Sequence, residues 1–227
     1  VKAGRGPDFD QRAILARRLM GSMTALHAAK IIHADLKPEN IQLIDDPSIS
    51  AGHKLVLIDM DFSVLSDKTA PWDDDPDTGY VGSPNYFSPE HLRAEAPVEA
   101  SDVFTCSLII HDLLGASHPY ESEETDEYTD KALDYGASKP RLEGEIKDAA
   151  TTDLVADYLH RCLDPDPTQR PTAKDLRDAL NGKAPPLEEA STSTRPVRPP
   201  EPTLSTLVLE GPTGGSLTLQ IDTKIGK

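Results

Sequence analysis

His33-Ala34-Asp35-Leu36-Lys37-Pro38-Glu39-Asn40 sets an aspartate, a lysine and an asparagine within six residues, between a helical pattern and a short apolar run. A loop of that kind can offer a base to a hydroxyl, a cation to a phosphate and an amide oxygen to a metal.

Upstream, Asp8 to about Ala29 reads as an amphipathic helix. Leu15, Leu19, Met23 and Leu26 recur at helical spacing, Arg12, Arg17 and Arg18 lie on the other faces, and Asp8 is placed to cap it. Downstream, Ile41 to Ile44 and Leu55 to Ile58 are apolar runs of strand length, separated by the turn formers of residues 45–53. A hairpin with a long loop fits, and it brings Asn40, just before one strand, close to Asp59, just after the other. Two oxygen donors at a hairpin mouth suit magnesium, which completes its shell with water and substrate phosphates. Singly, each residue would merely cap a turn or end a strand. Together with Asp35 and Lys37 they read as a site.

The net charge of −16 argues against nucleic acid or an anionic membrane as the main partner and favours a basic one. Cys106 and Cys162 sit far apart in apolar helical patterns, so two buried reduced thiols are expected, with no disulfide framework or zinc site. That usage points to a cytoplasmic protein. No apolar run approaches membrane-spanning length.

The loop closely resembles the catalytic loop of eukaryotic-type protein kinases, which runs His-Arg-Asp-x-x-x-x-Asn. Three further stretches resemble the same family in order. Gly82-Ser83-Pro84-Asn85-Tyr86-Phe87-Ser88-Pro89-Glu90 is similar to the segment that ends the kinase activation loop. Ser101 to Gly115, apolar nearly all round, resembles the buried central helix, with Ser101 or Asp102 as its cap and Gly115 as its end. Asp164-Pro165-Asp166-Pro167-Thr168-Gln169-Arg170-Pro171-Thr172 resembles the closing Asp-Pro-x-x-Arg-Pro-Thr motif, after which Thr172 caps a last helix through Leu180.

The resemblance covers Phe9 to Leu180 and implies a serine/threonine protein kinase. It makes Asp35 the general base, Lys37 the cation that stabilises the transferring phosphoryl group, and Asn40 and Asp59 the holders of the magnesium that bridges ATP phosphates. It places Ser83 where a hydroxyl bridges the catalytic aspartate and lysine, pairs Arg170 with Glu90, and has Asp102 hydrogen-bond the catalytic-loop backbone. Two registers compete for the metal aspartate, Asp59-Met60-Asp61 and Asp61-Phe62-Ser63. The first is favoured because the apolar strand residues then abut Asp59.

Two departures alter the expectation. Ala34 replaces the family arginine that pairs with a phosphorylated activation loop, which implies activity independent of that phosphorylation. The glycine-rich loop, the strand lysine and its glutamate partner have no match, so residues 1–182 are expected to supply only the helical C-terminal lobe of a kinase domain. That makes the fold mainly α, with a short β hairpin at the catalytic loop. Residues 183–203 turn rich in proline, serine and threonine and read as a linker. Residues 204–227 read as two β runs around Gly214-Gly215 and resemble the start of a forkhead-associated domain, with Gly226-Lys227 standing for its Gly-Arg. That resemblance implies a reader of phosphothreonine peptides, with Thr192, Thr194, Thr203 and Thr206 as neighbouring candidates for modification. The acids between Glu121 and Asp130 suggest basic protein substrates. The rival reading is a pseudokinase or phosphothreonine-binding scaffold.

Overall fold

Helix α1 spans Phe9–Ala28 and begins where the chain supplies its own cap. The Asp8 carboxylate accepts the Gln11 N–H at 2.9 Å, and the Gln11 side-chain oxygen accepts the Asp8 N–H at 3.0 Å. Two donors with no helical partner are thereby satisfied. Leu15, Leu19 and Met23 are fully buried, and Ala16 and Met20 widen the apolar stripe they form.

The computed structural model describes residues 7–49, 52–67, 84–120, 125–187, 205–210 and 216–221. The chain divides into two units, Val1–Leu187 and Glu188–Lys227.

In the first unit, helix α3 (Glu99–Leu113) is the centre, with every residue from Ser101 to His111 buried. A helix that is apolar all round needs cover on all sides. That cover comes from α1, α2 (Pro89–Leu92), α5 (Ala149–Arg161) and the 3₁₀ turn Pro167–Gln169. Helix α6 (Ala173–Leu180) packs on α1 and α5, capped by Thr172 and followed by Gly182 at φ +61°. The start of α3 corrects an expectation. The helix begins two residues before Ser101, with Val98 in the cap position, and Ser101 Oγ accepts the Val98 N–H at 3.0 Å. Asp102 is therefore not the cap, and its carboxylate is turned to another use. Gly115, at φ +71°, follows the end of the helix.

The acidic run forms helix α4 (Thr125–Leu133), with residues 121–124 outside the described set. It is more than a solvated face. Tyr128 and Ala132 are buried beside Phe104, Leu108, Tyr120 and Leu163, and the Tyr128 hydroxyl donates to the Phe87 carbonyl at 2.8 Å. Cys106 and Cys162 are free and buried, and burial pushes both thiols up, which leaves them unreactive.

Four short strands frame the loops. Strand β2 (Ile41–Asp45) pairs antiparallel with β3 (His53–Leu57), Ile41 opposite Leu57. Strand β1 (Ile31–Ile32) pairs antiparallel with β4 (Val64–Leu65). This second pairing escapes a period-2 reading because two residues are too few to alternate.

The unit also runs past residue 182, where the linker was expected to begin. Ala184 and Leu187 pack on the core, and the Pro185 carbonyl accepts the Tyr158 hydroxyl at 2.9 Å. In the second unit, β5 (Ser205–Glu210) pairs antiparallel with β6 (Ser216–Ile221). Ser83, Thr192, Thr194, Thr203, the Gly214-Gly215 turn and Gly226-Lys227 lie outside the described residues.

His111 on α3 gives the core a pH response. Burial holds its imidazole neutral, lowering its pKa from 6.5 to about 4, although Nδ1–H donates to the Ser107 carbonyl at 2.7 Å. Between about pH 6.5 and 4 the unfolded chain binds a proton that the folded chain refuses, so stability falls as pH drops through that window. The loss is on the order of 3 kcal/mol. His111→Asn keeps the donor to Ser107 and removes the titration. Its denaturation midpoints should fall less than those of the wild type between pH 7.5 and 4.5, and parallel curves would contradict this.

Candidate active site

Both chain segments that meet at the site are fixed at each end. Residues 33–40 run from β1 to β2, and residues 58–63 run from β3 to β4. Because β1 pairs with β4 and β2 with β3, the two loops emerge together. They are also stitched directly. The Ile58 N–H donates to the Asn40 carbonyl at 3.0 Å, and Ser63 Oγ donates to the His33 carbonyl at 3.3 Å.

Asp35 is 9% exposed and lies at the centre of the first loop. Lys37 Nζ sits 2.9 Å from its Oδ2, and Asn40 Nδ2 is 3.3 Å from the same oxygen and 2.8 Å from the Asp35 carbonyl. Among the described residues both side-chain contacts fall on Oδ2, and Oδ1 has none. Asn40 is 4% exposed, in the 3₁₀ turn Pro38–Asn40. Its amide nitrogen is committed to Asp35, so its oxygen is the atom left for a cation.

Asp59 follows directly after the residue bonded to Asn40, with an exposed side chain and φ +60°. Aspartate tolerates that left-handed backbone better than most residues. Asp61 is exposed too, but lies inside a turn closed by Ser63 N–H to the Met60 carbonyl at 3.0 Å. One amide oxygen and one exposed carboxylate suit a magnesium ion shared with phosphate rather than a closed protein cage. Among the described residues no group of three or more His, Cys, Asp and Glu side chains is placed to hold a metal.

The loop's own shape depends on α3. Ala34 has φ +65°, a conformation that costs a residue with a Cβ about 1–2 kcal/mol. Asp102, 2% exposed, accepts the His33 N–H at 2.8 Å and the Ala34 N–H at 3.0 Å. His27, from the last turn of α1, contacts Asp102 Oδ2 through Nε2 at 3.0 Å. The imidazole is the donor here, since an ionised carboxylate can only accept. His33 is fully buried, with neither ring nitrogen hydrogen-bonded among the described residues.

A second anchor stands beside the first. Arg170 reaches Glu90 through two nitrogens, at 2.7 and 2.9 Å, and also bonds the carbonyls of Ala100 and Asp164. Its guanidinium lies 5.1 Å from the centre of the Phe104 ring. Burial opposes ionisation of Glu90, but the Arg170 bonds and charge, with the Ser101 and Ser88 hydroxyls, outweigh it and hold the carboxyl below its ordinary pKa. Removing one partner of such a buried pair strands the other, at about 3–5 kcal/mol.

Of the residues singled out in the sequence, Asp35, Lys37 and Asn40 are in contact, Asp59 adjoins them through the backbone, Asp102 holds the loop and Glu90 meets Arg170. Ser83 is not among the described residues. His27 and Ser63 take part without having been anticipated, and Ser101, anticipated as a cap, also bonds Glu90. His27 carried one signal, a polar residue four after Met23 on the apolar stripe of α1. Ser63 carried none.

Asp35, Lys37, Asn40 and Asp59 thus meet on two paired loops at the edge of a helical unit. Residues 8–180 match the family model of the protein kinase domain, so the chain belongs to the protein kinase family. It is 30% identical over 176 residues to a calcium and calcium/calmodulin-dependent serine/threonine-protein kinase of Oryza sativa subsp. japonica, across 78% of this chain and 32% of that protein. It is 27% identical over 163 residues to serine/threonine-protein kinase pkn3 of Myxococcus xanthus, across 70% and 28%. With serine/threonine-protein kinase plk-1 of Caenorhabditis elegans it shares 29% over 160 residues, across 70% and 22%. The chain thus spans about a third of these relatives' length or less. No helix among the described residues is long and apolar enough to cross a membrane.

Proposed function

We propose that this chain is the catalytic-loop part of a serine/threonine protein kinase. The observation that carries the reading is the buried Asp35 carboxylate, with Lys37 and Asn40 fixed on one oxygen and the other left for a substrate hydroxyl. Asp35 orients that hydroxyl and takes its proton. Lys37 lies within reach of both the base and a phosphoryl group, and its position two residues after Asp35 favours serine/threonine over tyrosine hydroxyls. ATP with magnesium, which the family uses in general, supplies the activated phosphoryl group and the charge that offsets its oxygens. Asn40 and Asp59 would hold that ion. Asp59 is preferred to Asp61 because it directly follows the residue bonded to Asn40.

Ser83 is assigned to the substrate segment, and the net charge of −16 favours basic protein substrates. A cytoplasmic setting fits the two free buried thiols. Because Ala34 offers no guanidinium to a phosphorylated activation segment, the activity is proposed not to depend on such a phosphate. No stretch of these residues resembles the glycine-rich loop or strand lysine of the family. The reading is therefore of a C-terminal lobe, and the test belongs to the natural full-length protein. The paired strands β5 and β6 support a further assignment of residues 204–227 to the start of a forkhead-associated domain that reads phosphothreonine.

Phosphorylation of a generic basic protein by the full-length protein should fall by about 10²–10⁴-fold in Asp35→Asn, the range for loss of a general base. Phosphatase treatment of the wild type should leave its rate nearly unchanged. Equal labelling by wild type and variant would favour the pseudokinase reading. For the second unit, a phosphothreonine peptide should bind the full-length protein and its unphosphorylated form should not; equal binding would remove the forkhead-associated assignment.

A further inference from the structure

Asp59, Met60, Asp61 and Phe62 are exposed in succession, and Asp59 among them has the left-handed backbone, φ +60°. Exposed side chains bury too little surface to fix a turn, so its position is set by what holds its two ends. At the first end the hold is made by backbone alone. The Ile58 N–H donates to the Asn40 carbonyl at 3.0 Å, a bond open to any residue but proline. At the second end it is made by a side chain, with Ser63 Oγ donating to the His33 carbonyl at 3.3 Å.

The strand register explains why a hydroxyl is used there. Ile32 stands opposite Val64, so the next pair in line is His33 and Ser63. Both residues have spent their N–H groups elsewhere. Ser63 N–H closes the turn on the Met60 carbonyl at 3.0 Å, and His33 N–H goes to Asp102 Oδ2 at 2.8 Å. The hydroxyl is then the donor that Ser63 has left for His33. It carries one proton, and the carbonyl is a stronger acceptor than the Met60 thioether, whose Sδ lies 3.7 Å from Oγ. His33 is thereby gripped on both backbone groups, by α3 through its N–H and by the second loop through its C=O.

We propose that Ser63 is a positioning residue for the metal: its hydroxyl latches the turn that carries Asp59 to the loop that carries Asn40, so that the two oxygen donors keep the spacing a magnesium ion needs. Magnesium demands near-ideal octahedral geometry, and a turn free to shift would lose metal affinity first. The metal consequence rests on Asn40 and Asp59 as its holders; the latch itself does not.

The test compares Ser63→Ala and Ser63→Thr in the natural full-length protein, with Asp59→Asn alongside. Amide hydrogen exchange of a peptide covering residues 57–65, in magnesium-free protein, reads the latch. The magnesium concentration for half-maximal rate, and kcat at saturating magnesium, read its consequence. Loss of one hydrogen bond should speed exchange about three- to tenfold in the Ala variant and raise the half-saturating magnesium by a similar factor, with kcat within about twofold. The Thr variant keeps the hydroxyl and should stay within about twofold of the wild type on every reading. Unchanged exchange in the Ala variant, or a Thr variant as impaired as the Ala variant, would overturn the proposal. So would a fall in kcat with the magnesium requirement unmoved. Asp59→Asn should raise the magnesium requirement more than Ser63→Ala does. Should it match the wild type, the assignment of Asp59 falls, and the exchange comparison still decides the latch.

Discussion

The site depends on one buried carboxylate. Asp102 is almost inaccessible, and a charge in that position is tolerated only when its oxygens are taken up. They are taken up by the His33 and Ala34 amides and by His27. Each of these bonds does two things. It compensates a charge that water cannot reach, and it holds a loop backbone that Ala34 would otherwise leave. Strain at Ala34 and desolvation of Asp102 are separate costs that the same bonds offset. Asp35 then emerges from a loop whose shape is set by the core helix, not by its exposed neighbours.

The residue before Asp102 performs a matching task. Ser101 Oγ donates to Glu90 Oε2 at 2.8 Å, joining α3 to the ion pair that Arg170 completes. Two adjacent residues in the first turn of α3 therefore anchor two different parts of the machine. Asp102 holds the loop that carries Asp35, and Ser101 holds the start of α2. The backbone requirement explains the helix start at Glu99. Were Asp102 spent as a cap, it could not face the loop. Ser101 accepts the Val98 N–H instead and frees its neighbour for the longer-range contact.

Much of this was legible in the sequence. The apolar stripe of α1, the all-apolar α3, the caps at Asp8 and Thr172, and the β2–β3 hairpin follow from periodicity and turn chemistry. Asp35, Lys37 and Asn40 were legible as a spacing. What escaped was set by distance along the chain. His27 and Asp102 are 75 residues apart, and neither marks the other in the sequence. Ser101 bonds Glu90, which only the packing of α2 against α3 brings near. Strands β1 and β4 were too short to show a period, yet their pairing seats the two loops side by side. The helix start at Glu99 was missed because valine is a poor cap on its own, and its N–H is satisfied by a serine three residues later.

We infer that Asp102 shapes the loop and thereby aims Asp35, the proposed base. Asp102→Asn tests it most directly, because it keeps the side-chain size and replaces one acceptor oxygen with a donor. In the full-length protein the variant should lose about tenfold or more in kcat while its KM for ATP stays within about twofold, as expected when an interaction realised in the transition state is removed. An unchanged kcat in a folded Asp102→Asn protein would contradict this role for Asp102.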